Sequence, residues 1–197
     1  DRAMIKLRDQ TPPNSIVNTW WAPGHFIKAV ARRSVTSDGA SIKGEQSYWM
    51  GRVYLAKSER EDVGVLRMLN VSSNQAAEFL QRMMPLSKAA GLLMTIEQLN
   101  RVKAHEFLLK LMPSDNAFAL LKLTHARPPP SYLFIFNELM DGDLLAYIGK
   151  WNFEKVETLN KDPKALKNLP KRGTSAYKDF VWSLVGGTFR KSDIQQA

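Results

Sequence analysis

The segment from Ser47 to Lys57, SYWMGRVYLAK, decides how the first half of the chain is interpreted. Its side chains divide into two alternating sets: Tyr48, Met50, Arg52 and Tyr54 in one, and Trp49, Val53 and Leu55 in the other. Successive residues of a β-strand point to opposite faces of a sheet, so this alternation predicts a strand.

Three neighbouring segments have similar strand-like patterns, namely Ser15–Trp21, Phe26–Val35 and Val63–Asn70. Turn-forming or charged residues separate the four segments: Pro23-Gly24, Ser37-Asp38-Gly39 and Glu59 to Asp62. Short connections of this kind join strands that neighbour each other in an antiparallel sheet. A four-stranded meander is therefore predicted.

A helix is predicted directly after these strands. Ser72 or Ser73 can cap its N-terminus, and Pro85 marks its end. Between them, apolar residues recur at helical spacing: Ala76, Phe79, Leu80, Met83 and Met84.

The same order then repeats without visible sequence identity between the halves. The second set of predicted strands is Leu92–Leu99, Ala104–Met112, Ala117–His125 and Ser131–Phe136, followed by a helix that Asn137 caps and that runs through Ile148. The predicted fold class is α+β, with two four-stranded antiparallel sheets each followed by a helix.

Three regions are predicted along the chain. Residues 1–14 form a polar lead-in and residues 15–150 form the domain. Residues 151–197 form a basic C-terminal extension, in which Thr174 or Ser175 caps one short helix.

The chain is strongly basic, and its charge is unevenly distributed. It has 197 residues, 28 Lys plus Arg, 19 Asp plus Glu and a net charge of +9. Residues 1–60 contribute +5, residues 61–150 contribute 0 and residues 151–197 contribute +4. Basic segments on either side of a neutral middle favour a surface that meets a polyanion, and a generic basic surface is the alternative.

Several classes of site are excluded by residue content. There is no cysteine, so disulfides, thiol nucleophiles and Cys-ligated zinc are ruled out. His25, His105 and His125 do not have the spacing of metal ligands, and no phosphate-binding loop or nucleophile elbow is present. The longest mainly apolar run without charge, residues 180–189, is too short to cross a bilayer. We therefore expect a soluble, non-enzymatic protein without cofactor, metal or membrane contact.

Basic and aromatic residues on the predicted N-terminal strands form the candidate site for nucleic acid: Lys28, Arg32, Arg33, Lys43, Tyr48, Arg52, Tyr54, Lys57 and Arg67. Basic side chains bind phosphates, and aromatic rings stack on unpaired bases. The alternative is that the two tyrosines pack across strands while the basic groups are solvated. Trp20, Trp21 and Trp151 are interpreted as packing residues.

The strand and helix order resembles the Whirly fold. Two stretches carry the resemblance: Ser72 to Leu80, SSNQAAEFL, and Tyr132 to Met140, YLFIFNELM. The Lys-Gly-Lys-Ala-Ala stretch of plant Whirly proteins is absent. The chain therefore looks more like the guide-RNA-binding branch found in kinetoplastid mitochondria.

That resemblance implies single-stranded RNA binding with little sequence preference, which would promote annealing between RNAs during mitochondrial RNA editing or processing. It further implies a related subunit in a hetero-tetramer. Two other functions remain open: a single-stranded DNA-binding protein of transcription or genome maintenance, and an assembly subunit that binds no nucleic acid.

Overall fold

A computed structural model describes residues 2–40, 45–136 and 148–185. The described chain is mostly helical and contains one parallel sheet of three short strands. The predicted α+β fold with two four-stranded antiparallel sheets is therefore wrong.

The sheet belongs to the N-terminal part of the molecule, apart from its last strand. Helix α1 (Arg2–Gln10) precedes strand β1 (Ile16–Asn18), and α2 (Trp21–Phe26) continues into a π-helical turn (Ile27–Ala31). Strand β2 (Ser34–Val35) follows, whereas β3 (Ser131–Leu133) comes nearly a hundred residues later.

The strand order is β2-β1-β3, with all pairs parallel. Ile16 lies opposite Ser34 on one side of β1 and opposite Ser131 on the other. Parallel strands require a crossover connection, and here α2 with its π-helical turn makes the first one. The carboxyl ends of all three strands consequently meet at one edge.

A small apolar core supports this sheet. Val17, Ile27 and Ala31 are buried together, with residues of α1 packed against them. The Arg33 side chain reinforces the contact, since its guanidinium donates to the carbonyls of Arg8 (2.5 Å) and Thr11 (2.6 Å) near the end of α1.

Six helices form the larger core: α3 (Glu45–Leu55), α4 (Glu59–Ser72), α5 (Gln75–Gln81), α6 (Leu86–Ile96), α7 (Arg101–Leu108) and α8 (Ser114–Thr124). Helix α4 packs against α3 and α8, while α5 packs against α6. Their buried residues recur three and four positions apart, as in Val65, Met68 and Leu69 of α4. That spacing places apolar groups on one helix face.

Three more helices lie in the described range 148–185: α9 (Phe153–Asn160), α10 (Pro163–Lys167) and α11 (Ser175–Leu184). Glu157 of α9 accepts hydrogen bonds from Ser87 near the start of α6, at 3.0 Å from the backbone N and 2.7 Å from Oγ. A carboxylate at this place satisfies N–H groups that a helix leaves open.

Most of the predicted strands differ from the observed secondary structure. Three predicted strands contain real ones, namely β1, β3 and the two-residue β2 at the end of Phe26–Val35, and all of them pair in parallel. Six predicted strands are wholly or mainly helical: Phe26–Val35, Ser47–Lys57, Val63–Asn70, Leu92–Leu99, Ala104–Met112 and Ala117–His125. They were misread because local alternation of aromatic and β-branched residues obscured the helical spacing.

Two predicted helices are confirmed. Helix α5 occurs within the predicted segment, although Ser72 and Ser73 end α4 and the cap position is Asn74. Helix α11 begins as predicted, with Thr174 Oγ1 accepting from the Tyr177 backbone N at 3.2 Å. Most of the helix predicted after Asn137 lies outside the described residues. The boundaries at residues 14 and 150 stay predictions.

Candidate functional site at the carboxyl end of the parallel sheet

The carboxyl edge of the sheet gathers polar residues from two adjacent strands. Asn18 ends β1 and Thr19 follows it, while Thr36 and Ser37 follow β2. The Thr19 backbone N donates to Thr36 Oγ1 at 3.2 Å, and the Asn18 side chain donates to the Tyr132 carbonyl of β3 at 3.4 Å. Ligands of open parallel sheets bind in the crevice beside these strand ends.

Four buried polar atoms here have no hydrogen-bond partner among the described residues: Asn18 Oδ1, Thr19 Oγ1, Trp21 Nε1 and Ser37 Oγ. We call these four residues the sheet-end cluster. Each such atom costs about 1–3 kcal/mol when it is left unpaired. Buried polar groups are usually satisfied, so these four atoms are candidates for hydrogen bonds to water or to a bound molecule.

The loop after β2 lies directly on helix α2. A Cβ built on Gly24 would come 2.3 Å from the Ser37 carbonyl oxygen, so a larger residue would separate the helix from the loop. Two residues after Ser37, the Gly39 backbone N donates a hydrogen bond to His25 Nε2 at 3.1 Å. Gly24 and His25 therefore determine where Ser37 lies.

Asp38 fixes the other side of the same loop. Its Oδ2 accepts from Lys28 Nζ at 2.9 Å, and its Oδ1 accepts from the Ala40 backbone N at 2.9 Å. The hydrogen bond from Lys28 lowers the pKa of the Asp38 carboxyl below its ordinary value. The charges of this loop thus compensate each other, and the sheet-end cluster itself is composed of neutral groups.

A second polar group lies between the helices of the larger core. Arg67 of α4 donates through Nε to the Thr124 carbonyl and through Nη2 to Glu97 Oε2, both at 3.0 Å. His125 Nδ1 lies 2.8 Å from Thr124 Oγ1, and its Nε2 lies 3.1 Å from the Leu99 carbonyl. The connections after α6 and α8 are thereby held against α4.

Burial has the largest influence on the pKa values of Glu97 and His125. It raises the pKa of Glu97 to about 8, although Arg67 acts in the opposite direction. Burial also lowers the pKa of His125 to about 4, and the positive charge of Arg67 adds to the effect. At neutral pH the histidine is uncharged and the glutamic acid is largely protonated.

The structure places the nine predicted nucleic-acid residues on several surfaces. Lys28 contacts Asp38, Arg32 is exposed with a left-handed φ of 53°, and Arg33 is buried. Arg67 contacts Glu97 within the helical core, and Lys43 lies outside the described residues. No shared sheet face joins the four of these that the structure describes.

The other four lie on or just after α3. Tyr48, Arg52 and Lys57 line one depression, and Arg52 forms an ion pair with Glu61. Tyr54 is half-buried near the Trp20 backbone, and burial raises the pKa of its phenol. The interpretation of Trp20 as a packing residue is confirmed, since only 4% of it is exposed.

The described residues contain neither a cluster of metal ligands nor a helix that could span a membrane. No group of three or more His, Asp or Glu side chains in them could hold a metal ion. None of their helices is long and apolar enough to cross a membrane.

Three known proteins that share the name dolichyl-phosphooligosaccharide-protein glycotransferase are similar to this chain in sequence. A dolichyl-phosphooligosaccharide-protein glycotransferase of Methanocaldococcus jannaschii is 32% identical over 180 residues, which cover 87% of this chain and 19% of that protein. A protein of the same name from Methanococcus voltae is 29% identical over 164 residues, covering 75% of this chain and 17% of its own length. The chain thus spans about a fifth of the length of these relatives.

A third relative matches a shorter part. Dolichyl-phosphooligosaccharide-protein glycotransferase 2 of Pyrococcus furiosus is 40% identical over 53 residues, 27% of this chain and 7% of that protein. No protein-family model matches the chain. No solved structure matches it either.

These relatives overturn most of the functional interpretation. The resemblance to Whirly and guide-RNA-binding proteins is wrong, and so are RNA binding, RNA editing and both alternatives. The expected partners, single-stranded RNA and a related subunit, fall with them. The expectation of a non-enzymatic protein is contradicted because the relatives are named as transferases. The mitochondrial location remains an untested prediction.

Sequence reasoning missed the sheet-end cluster. It interpreted Ser37-Asp38-Gly39 as a short connection between antiparallel strands. The interpretation of Trp21 as a packing residue is confirmed by its contact with the larger core, but it did not reveal the unpaired indole N–H. The available signal was the polar pair Asn18-Thr19 directly after the apolar Ile16-Val17, since residues that follow buried strands often form sites. That signal becomes useful only once the strands are known to be parallel.

Proposed function

We propose that this chain takes part in the transfer of an oligosaccharide from a dolichyl phosphate carrier to protein. The observation that carries the proposal is its 32% identity to the M. jannaschii glycotransferase over 87% of the chain. The M. voltae protein of the same name supports it over 75% of the chain. Similarity that runs through nearly the whole chain favours a shared role over a single shared motif.

We further propose that the sheet-end cluster contributes to binding the acceptor protein. Asn18 and Ser37 have neutral side-chain oxygens and Trp21 has an indole N–H, each without a partner among the described residues. Such a mixture of neutral donors and acceptors suits backbone amides, which need both kinds of partner. A phosphate group would instead require free cations, whereas Lys28 beside the loop is paired with Asp38.

The neighbouring strand β3 adds apolar contact area. Its residues are exposed, with 39% of Tyr132 and 45% of Leu133 accessible. β3 also stands at the edge of the sheet, where an extended polypeptide can add main-chain hydrogen bonds. These features support a protein acceptor at this edge.

A chimaera tests the proposed function. The matching 180 residues of the M. jannaschii protein are replaced with this chain, and transfer of oligosaccharide to an acceptor protein is measured. We expect transfer above that of the protein from which the segment is deleted. A chimaera that folds, as judged by its melting transition, yet transfers no more than the deletion contradicts the proposal.

The same chimaera tests the site. Thr19→Val removes a hydroxyl of the sheet-end cluster, and Thr95→Val removes an exposed hydroxyl of α6 as the matched control. We expect Thr19→Val to raise KM for the acceptor at least several-fold while KM for the lipid-linked donor stays unchanged. Equal KM values for the two variants would place acceptor binding elsewhere.

A further inference from the structure

A pocket of about 290 Å³ lies beside the helical core, away from the sheet. Helix α4 forms one wall with Arg60, Gly64 and Arg67, and the connection from α6 to α7 forms the other with residues 97–100 and Lys103. Pockets for small ligands begin at about this volume. It therefore has room for a compact group.

The charged residues that line this pocket are mainly cationic. Three of its described residues are Arg60, Arg67 and Lys103, and one, Glu97, is acidic. Arg60 and Lys103 form no ion pair with a described residue, whereas Arg67 contacts Glu97. The excess of positive charge favours an anion.

Arg67 is held rigidly with part of its guanidinium still available. Its Nε and Nη2 are used by the Thr124 carbonyl and by Glu97. Its Nη1 donates to none of the described residues. Its Nη2 also donates to the Glu97 carbonyl at 3.4 Å, so Nη1 is the group left for a ligand. A guanidinium that is fixed in this way loses little entropy when it binds an oxyanion.

Glu97 supplies a second sign of an incomplete site. Its side chain is only 1% exposed, and its Oε1 has no hydrogen-bond partner among the described residues. Because burial raises the pKa of this carboxyl to about 8, it is largely protonated at neutral pH and can donate a hydrogen bond. Protonation of Glu97 removes a negative charge that would oppose an anion in this pocket.

Helix α7 begins at the pocket. Asn100 caps it, with Oδ1 accepting from the Lys103 backbone N at 2.9 Å. The first N–H groups of a helix and its dipole favour negative charge at this end. Together with the cations and Glu97, this end completes a set of donors around one space.

We propose that this pocket binds a phosphate group, held by Arg60, Arg67 and Lys103 at the start of α7. The ligand is a small phosphorylated molecule or the phosphate of a lipid headgroup. The proposal stands apart from the proposed transferase function, because it uses none of the sheet-end residues and concerns binding alone.

Calorimetric titration of the chain at constant ionic strength tests it. The probes are inorganic phosphate, glycerol 3-phosphate, glucose as a neutral control, and lipid vesicles with and without phosphatidic acid. We expect millimolar or tighter binding of the phosphate probes and none of glucose. Binding to phosphatidic acid vesicles without binding of the soluble esters identifies a lipid headgroup as the source.

Charge-matched variants locate the binding. Arg60→Gln with Lys103→Gln removes two pocket cations, while Lys88→Gln with Lys122→Gln removes two exposed cations elsewhere. We expect affinity to fall at least tenfold in the first pair only. An equal fall in both pairs would mean general charge attraction, and absence of binding to every phosphate probe would also overturn the proposal.

Discussion

The two polar regions of this molecule, the group around Arg67 and the sheet-end cluster, differ in how well their buried hydrogen-bonding groups are satisfied. In the helical core, Thr124 Oγ1 donates to the Leu120 carbonyl at 2.9 Å and contacts His125. At the sheet end, Thr19 is equally buried, yet its Oγ1 has no partner among the described residues. Satisfied groups stabilise a fold, whereas unsatisfied ones lower stability and are retained where binding needs them.

The largest change in stability is expected where the helical core is most closely packed. A Cβ at Gly64 would lie 2.1 Å from the Glu97 carbonyl oxygen, so Gly64→Ala must push α4 away from the end of α6. We expect a loss of about 3 kcal/mol in the free energy of unfolding, measured by urea denaturation.

Gly91 offers the matched control, because a Cβ there has no atom within 4 Å. Gly91→Ala on helix α6 is expected to stabilise the protein by about 0.5–1 kcal/mol. If both glycine variants were equally stable, the contact between α4 and residue 97 would not hold the core together.

The next effect concerns pH. The pKa of His125 is lowered to about 4 by burial, so the unfolded chain binds more protons than the folded chain between about pH 4 and 6.5. The histidine therefore contributes stability that is present above pH 6.5 and is lost as the pH falls towards 4. For His125 alone we expect a contribution of about 2 kcal/mol to be lost between pH 7 and 4.5, by the relation of about 1.4 kcal/mol per pKa unit, seen as the difference between the protein and His125→Gln.

Glu97 contributes to the pH dependence of stability in the direction opposite to His125. Its raised pKa favours the folded state below about pH 4.5, and that contribution is lost as the pH rises to 8. Comparison of the protein with His125→Gln isolates the histidine, and NMR titration of the imidazole measures its pKa directly. A value near 6.5 would show that the imidazole is not held neutral by burial.

The smallest effect compares the two buried threonines. Thr124→Val removes a hydroxyl that has two contacts, so we expect a loss of about 1 kcal/mol in the free energy of unfolding. Thr19→Val removes a hydroxyl without a partner, and we expect no loss or a slight gain. Thermal melting of both variants checks this, and an equal loss would remove the contrast between the two regions.

Particular elements show how far sequence reasoning reached. The start of α11 was predictable because Thr174 is a local cap followed by apolar residues at helical spacing. Helix α3 could not be predicted in this way, because Trp49, Met50 and Val53 fit a strand face as readily as a helix face until the packing partners are known. Arg33 was predicted as a surface cation, yet it is buried by bonds to α1 carbonyls that no local pattern reveals.

The sequence by itself determined the absence of thiol chemistry, the basic charge and the apolar content that a core of this size needs, since these depend on composition alone. It also determined local caps such as Thr174, because a cap needs only its neighbours. Only the tertiary structure decided that β1 and β3 are parallel neighbours and that Arg67 meets Glu97. Those pairings join residues far apart in the chain, and their free energy comes from burial that exists only after folding.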